Sequence, residues 1–181
     1  IGGNICNGVT SADSASGLFA LNAILQLKST EGMREISIKD FYLGPGKVDL
    51  KPTEVLTAIK ITPENYKGFF GFYYKYAMRK AMDIATIGCA VNLRLNNKKI
   101  EDYRIAYGVA GPVPMRCSIT EAFVKDKEIS DNFLTQLADK VEKDVNPRTS
   151  WRASREFRIH IIKELAVRVT KEVFKRAGED L

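Results

Sequence analysis

The sequence is poor in histidine and cysteine, the side chains that most often bind transition metals. His160 is the one histidine, and Cys6, Cys89 and Cys117 are the three cysteines in 181 residues. The cysteines lie far apart and form no C-x-x-C pair, which argues against a zinc site, an iron–sulfur motif and a disulfide framework. A multi-histidine metal site is excluded, and we expect His160 to be a surface or structural residue. Unpaired cysteines favour a reducing compartment, and the prediction is cytoplasmic.

Long apolar runs are absent as well. No stretch approaches the roughly 20 apolar residues that a membrane-spanning helix needs. The N-terminus also lacks the basic flank and apolar block of a secretory signal. With 45% hydrophobic and 28% charged residues, the composition is ordinary for a soluble globular protein. Because the first residue is Ile1 rather than Met, we expect the chain to begin inside a longer polypeptide.

The net charge of +6 raises the question of nucleic-acid binding. Residues 151–181 hold eight Lys or Arg against five Asp or Glu, so about half of the excess lies there. The charges alternate in sign, as in Lys163-Glu164 and Lys171-Glu172, which predicts a solvated helix face. A basic nucleic-acid module stays open as a weaker alternative, which a steep loss of affinity with added salt would reveal.

The chain opens on IGGNICNGVTSADSASG, in which two glycine-containing pairs precede a predicted helix. Gly2-Gly3 and Asn7-Gly8 predict tight turns or a surface that a ligand approaches, because glycine tolerates positive φ and close contact. Ser11 or Asp13 could cap the helix that follows. The spacing lacks the full dinucleotide fingerprint, so this stretch alone identifies no nucleotide site.

Residues 11–67 alternate helix, strand and loop patterns. A short helix is predicted over residues 11–22, with three apolar residues facing inward, Leu18, Phe19 and Leu21. ILQLKS and REISIK flank the turn Thr30-Glu31-Gly32 and predict a hairpin. FYLGPGK predicts a loop, and EVLTAIKI predicts a strand that Pro63 ends.

Beyond residue 68 the pattern is an antiparallel strand pair followed by helices. The first strand alternates apolar with small or polar residues, as a half-buried strand does, at Ile87, Cys89, Val91, Leu93 and Leu95. After the turn Asn96-Asn97-Lys98-Lys99 the second strand alternates at Tyr103, Ile105, Tyr107 and Val109. These patterns predict an α+β fold.

Three helices are predicted at the C-terminal end. Ser118 and Glu121 have the spacing of a capping box before the first. The second presents Leu134, Leu137, Val141 and Val145 on one face and ends at Pro147. The third closes at Gly178, with an apolar stripe every four residues at Phe157, Ile161, Leu165, Val169 and Val173.

Four blocks of the chain carry a resemblance to a known family. They are IGGNICNGVTSADSASG, DFYLGPGKVDLKPTEVL, KYAMRKAMDIATIGCAV and SWRASREFRIHII. In this order and spacing they resemble the FAD-binding medium subunits of bacterial molybdenum hydroxylases of the xanthine dehydrogenase type. The resemblance covers essentially the whole chain.

The resemblance implies a division into two domains. Residues 1–67 would be the second FAD-binding subdomain, of mixed α/β structure. Residues 68–181 would be the C-terminal domain, a small antiparallel sheet packed with helices. The glycine-rich pyrophosphate loop of the family's first subdomain is expected to precede this sequence.

Seven residues match family positions that bind FAD. They are Ile1, Gly2, Gly3, Asn4, Asp13, Leu56 and Lys75. Without the resemblance, Asp13 would be a helix cap, Leu56 a strand core residue and Lys75 a surface lysine. The resemblance implies no catalytic residue and no metal ligand on this chain.

The sequence also departs from the family. Relatives from vertebrates have a tyrosine in the loop that here contains Leu43, and an acidic residue near Met82. Both have been associated with the nicotinamide site or the flavin environment, so their absence weakens the expectation of NAD as acceptor. Arg79, before Asp83, is a candidate nucleotide or structural contact, and a local ion pair between them is the alternative.

The implied function is that of an FAD-dependent oxidoreductase subunit. A molybdenum cofactor on a large subunit and two [2Fe-2S] clusters on a small subunit would supply electrons to FAD here, and NAD or another acceptor would take them. The fragment alone would be inactive. The alternative is a non-catalytic assembly module that has lost flavin, with an apolar groove lined by Leu56 and GFFGFYY.

Overall fold

The computed structural model describes residues 1–97 and 99–179, which form six helices and nine strands in an α+β fold, as predicted. The helices are α1 (Gly2–Cys6), α2 (Asp13–Ala20), α3 (Ile38–Phe41), α4 (Ser118–Val124), α5 (Asp131–Val141) and α6 (Arg155–Arg176). The strands are β1 (Ile24–Ser29), β2 (Gly32–Ser37), β3 (Tyr42–Gly44), β4 (Lys47–Val48), β5 (Val55–Lys60), β6 (Phe70–Tyr76), β7 (Ile87–Asn96), β8 (Lys99–Gly108) and β9 (Met115–Arg116).

The first sheet has the antiparallel strand order β2-β1-β5. The predicted hairpin is confirmed, because Ser29 pairs with Gly32 across the turn and Gly32 has a φ of 144°. The predicted strand at EVLTAIKI is confirmed as β5, and Pro63 begins a short 3-10 turn after it. FYLGPGK is more ordered than predicted, since it forms the end of α3 and the small β3-β4 hairpin, which turns at Gly46.

The second sheet has the antiparallel order β6-β7-β8-β9. Strands β7 and β8 confirm the predicted pair; Lys98, part of the predicted turn, lies outside the described residues. The prediction that β7 is half-buried is wrong, because Gly88, Ala90 and Asn92 are buried on its second face. Helices α5 and α6 cover one face of this sheet and α2 covers the other. Small residues at Ala90 and Ala106 let α2 approach.

The capping-box prediction at Ser118 is wrong. Cys117 occupies the N-cap position, and no side-chain hydrogen bond comes from it. The Asp144 carboxylate caps α4 instead, accepting hydrogen bonds from the amides of Ile119 and Thr120, both at 2.9 Å. Glu121 does not reach back to the cap, because it accepts hydrogen bonds from Arg116 and from the Ile105 amide.

The apolar stripes of the last two helices are partly confirmed. Helix α5 buries Leu134, Leu137 and Val141 as predicted, but it ends at Val141, before Pro147. On α6 the four-residue spacing overshoots the 3.6-residue turn, so Phe157 at the first turn rotates out and is 43% exposed. Arg158 is buried in its place. His160 lies exposed on the same helix.

A polar seam joins the two sheets. The Asn65 side-chain oxygen accepts hydrogen bonds from Asn22 at 3.1 Å and from Arg104 at 2.8 Å. Its carbonyl accepts one from the Asn92 side chain. Arg116 of the second sheet donates to Asn22 and to the Phe19 carbonyl at the end of α2. The two sheets are therefore fixed relative to each other by buried and half-buried hydrogen bonds.

The ion pairs of Arg34 predict an acid-sensitive stability. The Arg34 guanidinium donates to Glu54 at 2.7 Å and to Asp49 at 2.9 Å. Chiefly through Arg34, and next through the Lys51 amide, the pKa of Glu54 falls to about 2. A carboxylate whose pKa is lower in the folded state contributes stability above its unfolded pKa of about 4.3, and that contribution is lost as pH falls toward 2. We expect the melting temperature to fall less between pH 5 and pH 2 in Glu54→Gln than in the parent; equal slopes in thermal denaturation would contradict this.

Candidate functional site

The opening glycines lie in a helix rather than in a turn. Helix α1 begins with the Ile5 amide donating to the Ile1 carbonyl at 3.1 Å, so the predicted turn at Gly2-Gly3 is wrong. The buried Ile5 side chain anchors this helix in the first core, which favours helix over turn. Of the two predicted turns, only the one that ends at Gly8 is present, with a φ of 67°.

The chain's own structure does not require glycine at position 3. Gly3 has no positive φ, and a Cβ built there would meet no atom within 4 Å. A Cβ at Gly2 would lie 3.9 Å from Leu56 Cδ2, which is ordinary contact. The backbone of these two residues is therefore open to a second molecule, which fits a group that packs flat against it.

Asn4 connects α1 to the start of α2. Its side-chain oxygen accepts hydrogen bonds from the Ser14 amide at 3.2 Å and from the Ser14 hydroxyl at 2.5 Å. The prediction that Ser11 or Asp13 caps α2 is wrong, because Ala12 is the N-cap residue and Asn4 satisfies the second amide from outside the helix.

Asp13, the first residue of α2, and Lys75 on β6 form an ion pair. Lys75 Nζ donates to Asp13 Oδ2 at 2.7 Å and to the Asp83 carbonyl at 2.6 Å. The Tyr73 hydroxyl lies 3.5 Å from Asp13 Oδ1, and burial together with the Asp13 charge raises the pKa of Tyr73 above its usual value. An ammonium group has three donors, so Lys75 keeps one for a bound group.

Ile1 and Leu56 add an apolar surface beside the glycines. Leu56 is half-buried on β5, where it pairs with the buried Leu27 of β1. Ile1 is 80% exposed. Their side chains could cover one side of a planar aromatic ligand, while the backbone of Gly2 and Gly3 stays accessible.

The structure groups the seven predicted residues into two neighbouring sets. Ile1, Gly2, Gly3 and Leu56 form one set, and α1 connects it to Asn4. Asn4, Asp13 and Lys75 form the other, at the start of α2. Sequence reasoning missed Ser14 and Tyr73. Tyr73 lies two residues before Lys75 on β6, and the two-residue period of a strand could have placed both on the same face.

The loop after β6 borders the site. Tyr74 to Asp83 line a cleft of about 350 Å³. Within this loop the Arg79 amide donates to Asp83 Oδ2 at 2.8 Å, and its guanidinium donates to the Met82 carbonyl at 2.7 Å. The local ion pair given as the alternative is present, since Arg79 Nη2 lies 3.8 Å from Asp83 Oδ1, and the nucleotide contact of Arg79 stays a prediction. The amide of Arg79 is the main cause that lowers the pKa of Asp83.

Other chemistry is sparse in the described parts of the chain. Across residues 1–97 and 99–179, no group of three His, Cys, Asp or Glu residues is placed to hold a metal ion. Burial raises the pKa of the Cys89 thiol to about 12, so it stays protonated at neutral pH. No helix in these residues has the length and apolar character needed to cross a membrane.

Two family models match the chain in succession. Residues 1–64 match the FAD binding domain in molybdopterin dehydrogenase. Residues 72–173 match the CO dehydrogenase flavoprotein C-terminal domain. Together they span most of the sequence and include all seven predicted residues.

Known relatives agree with these matches. The chain is 43% identical over 180 residues to the xanthine dehydrogenase FAD-binding subunit of Escherichia coli O157:H7, covering 99% of this chain and 62% of that protein. It is 33% identical over 174 residues to the glyceraldehyde dehydrogenase medium chain of Sulfolobus acidocaldarius, covering 96% and 60%. The chain thus spans about three fifths of the length of these relatives.

Solved structures share the fold. Carbon monoxide dehydrogenase from Hydrogenophaga pseudoflava, in a form that lacks the Mo-pyranopterin moiety of its cofactor, matches with a TM-score of 0.89 at 24% identity, over 97% of this chain and 60% of that one. The cyanide-inactivated form of Cu,Mo-CO dehydrogenase matches with a TM-score of 0.88 at 26% identity, over 97% and 61%.

Proposed function

This chain belongs to the family of FAD-binding flavoprotein subunits of molybdopterin dehydrogenases, and from that premise we propose that it holds FAD for a xanthine dehydrogenase-like molybdenum hydroxylase. The observation that carries the proposal is the open backbone at Gly3 beside the Asn4, Asp13 and Lys75 cluster. When bound, FAD supplies redox chemistry that can connect one-electron and two-electron partners.

The residues of this chain would bind and orient that group. Gly2 and Gly3 admit it to the backbone, Leu56 and Ile1 exclude water from its apolar part, and Lys75 supplies a positive charge. Asp13 holds the Lys75 ammonium in place at 2.7 Å. A fixed positive charge near a redox group favours its reduced, more anionic form and so raises its potential.

The rest of the proposal concerns the partners. A molybdenum cofactor on a large subunit and two [2Fe-2S] clusters on a small subunit are the electron source, and NAD or another acceptor takes the electrons. The reducing cytoplasm, purine metabolism and an inactive isolated fragment belong to the same proposal. The division into domains between residues 67 and 68 is also part of this proposal. The two separately hydrogen-bonded sheets on either side of that boundary support it. Asp180 and Leu181, at the end of the second domain, lie outside the described residues.

The assembly-module alternative is less well supported. It needs one apolar groove lined by Leu56 and GFFGFYY. Leu56 lies on β5 of the first sheet, whereas GFFGFYY, residues 68–74, runs from a turn into β6 of the second sheet, where Phe72 and Tyr74 pack against the C-terminal core. These side chains therefore have packing roles that need no docked protein.

The first experiment measures bound flavin. The full-length subunit and the 181-residue chain would be purified side by side without added FAD, and the flavin-to-protein ratio read from absorption near 450 nm. We expect a ratio near one for the full-length subunit and little flavin in the shorter chain, since the site would be shared with the first subdomain. Absence of flavin from both would favour the assembly module.

Lys75→Ala tests the proposed cation. Removing the ammonium takes away a charge-assisted hydrogen bond, so we expect FAD to bind about 10-fold to 100-fold more weakly in the full-length subunit and its potential to fall. The fold should persist because Lys75 is part of a partly exposed pair. Lys67→Ala, an exposed lysine in the preceding turn, is the control. Unchanged affinity and potential in Lys75→Ala would remove this residue from the proposed site.

A further inference from the structure

The hydrogen bonds of Asn4 fix which way its side-chain amide faces. Asn4 Oδ1 accepts one hydrogen bond from the Ser14 amide at 3.2 Å and a second from the Ser14 hydroxyl at 2.5 Å. A backbone N–H can only donate, so the atom that it meets must be the oxygen of the Asn4 amide and not the nitrogen. The reversed amide would set two donors against each other. Ser14 therefore determines the orientation of the Asn4 side chain.

The nitrogen of the same amide keeps its donors for a second molecule. An amide oxygen has two lone pairs, and Ser14 occupies both of those on Asn4 Oδ1. Asn4 Nδ2 has two hydrogens to donate, and it forms no hydrogen bond to any residue that the structure describes. Asn4 is exposed and directly follows the open backbone of Gly3. The donor side of Asn4 is therefore available to a ligand that packs against Gly3.

A second donor is held at the start of α2 in a similar way. Asp13, which directly precedes Ser14, accepts a hydrogen bond from Lys75 Nζ at 2.7 Å. The Asp83 carbonyl accepts another, so the Lys75 ammonium keeps one of its three donors. Two neighbouring residues of α2 therefore each hold a polar side chain from another element, α1 or β6. Both of the side chains that they hold keep a donor unused.

Helix α2 does not itself require a serine at position 14. Ala12 is the N-cap residue, and Ser14 is the second residue of the helix, inside the cap. Serine is a weaker helix former than alanine, so alanine would suit this position better. Among the described residues, the Ser14 hydroxyl forms its hydrogen bond with Asn4 alone. The contact that accounts for this hydroxyl is therefore the one with Asn4.

We propose that Ser14 is a positioning residue, which holds the Asn4 amide so that its nitrogen donates to a hydrogen-bond acceptor of bound FAD. This inference rests on the function proposed above. FAD presents acceptors in its phosphate oxygens, hydroxyl groups and ring carbonyls, and a few fixed polar groups are what orient a ligand in its site. A donor that is held in place before binding loses less freedom when the ligand arrives, so the same hydrogen bond gives more affinity.

Asn4→Asp in the full-length subunit tests the direction of the amide. Aspartate keeps the oxygen to which Ser14 donates and replaces the NH₂ group with a second oxygen of nearly the same size. We expect the flavin-free variant to melt no lower than the parent, since a carboxylate is favourable at the start of a helix. We expect FAD to bind about 10-fold to 100-fold more weakly, because a negative oxygen would then face an acceptor. Parent-like affinity for FAD would contradict the outward-facing donor.

A double-mutant cycle tests whether Ser14 acts through Asn4. The full-length subunit would be stripped of flavin and titrated with FAD. We expect Ser14→Ala to weaken binding about 3-fold to 10-fold, and Ser14→Thr, which keeps the hydroxyl, to bind within about twofold of the parent. In an Asn4→Ala background, Ser14→Ala should change the affinity no further, because the group that it positions is gone. Ser130→Ala is the control, since it removes a hydroxyl that caps α5 in the C-terminal domain, and it should bind FAD as the parent does.

Three results would overturn this inference and leave the proposed function intact. The first is parent-like affinity for FAD in Ser14→Ala. The second is an equal loss from Ser14→Ala in the parent and in the Asn4→Ala background, which would show that Ser14 does not act through Asn4. The third is a loss in Ser130→Ala as large as that in Ser14→Ala, which would assign the effect to lowered stability. A parent subunit that binds no FAD would instead overturn the proposed function, and this inference with it.

Discussion

Gly3→Val in the full-length subunit is expected to remove bound FAD while leaving the protein folded. The valine side chain would occupy the open space next to the Gly3 backbone, where no atom of the chain lies within 4 Å of a Cβ. Forcing extra methyl groups into an occupied contact costs about 1–3 kcal/mol, which weakens binding about 5-fold to 150-fold. Valine is also a better helix former than glycine, so α1 should not be weakened.

The measurement is the FAD-to-protein ratio together with a thermal melt. Gly44→Val is a suitable control, because Gly44 also lacks a positive φ and has no atom within 4 Å of a Cβ, but lies on β3 outside the proposed site. A normal flavin ratio in folded Gly3→Val would refute the placement of FAD against this backbone. Flavin loss in both variants would point to an indirect effect.

Gly8→Ala is expected to have the opposite outcome, a large loss of stability. Gly8 has a φ of 67°, and a Cβ there would lie 2.9 Å from the backbone carbon of Gly46 and from the Lys47 nitrogen. The Gly46 amide also donates to the Gly8 carbonyl at 2.9 Å, so neither segment can move without losing this bond. Left-handed strain of about 1–2 kcal/mol and overpacking of about 1–3 kcal/mol together predict a loss of roughly 2–5 kcal/mol.

Gly46→Ala separates these two causes. Gly46 has a φ of 70°, nearly the same as Gly8, but a Cβ there meets nothing within 4 Å. Denaturant unfolding should therefore show a loss of only about 1–2 kcal/mol for this variant, the strain alone. Equal free energies of unfolding for Gly8→Ala and Gly46→Ala would contradict the close approach of Gly8 to the backbone of Gly46 and Lys47.

Local patterns in the sequence predicted the elements whose causes are local. The β1-β2 hairpin follows from Gly32 after a two-residue turn, and the β7-β8 pair follows from its alternation. The failures have distant causes. Asp144 caps α4 from about 25 residues away along the chain, and α2 covers the second face of β7 from a different part of the sequence. No local pattern carries either contact.

The candidate site likewise has features that the sequence predicts and contacts that it does not. The family resemblance named Asp13 and Lys75 separately, and each had an ordinary interpretation by itself, as a cap and as a surface lysine. Their ion pair joins residues 62 positions apart. The sequence could not show that Asn4 takes over the capping of α2, which leaves the Asp13 carboxylate available to Lys75.

The packing of α2 has a consequence for how the protein folds. This helix packs against β7 and β8 on the second face of the C-terminal sheet, where Ala90 and Ala106 join the first core. During synthesis α2 leaves the ribosome long before β7 and β8, so it cannot dock until the sheet has formed from later residues. Until α2 docks, one apolar face of that sheet stays exposed to water. Because the contact of α2 with β7 and β8 joins residues far apart in the sequence, we expect it to slow folding. We also expect residues 1–67 and 68–181 to unfold together in one cooperative transition rather than as independent domains.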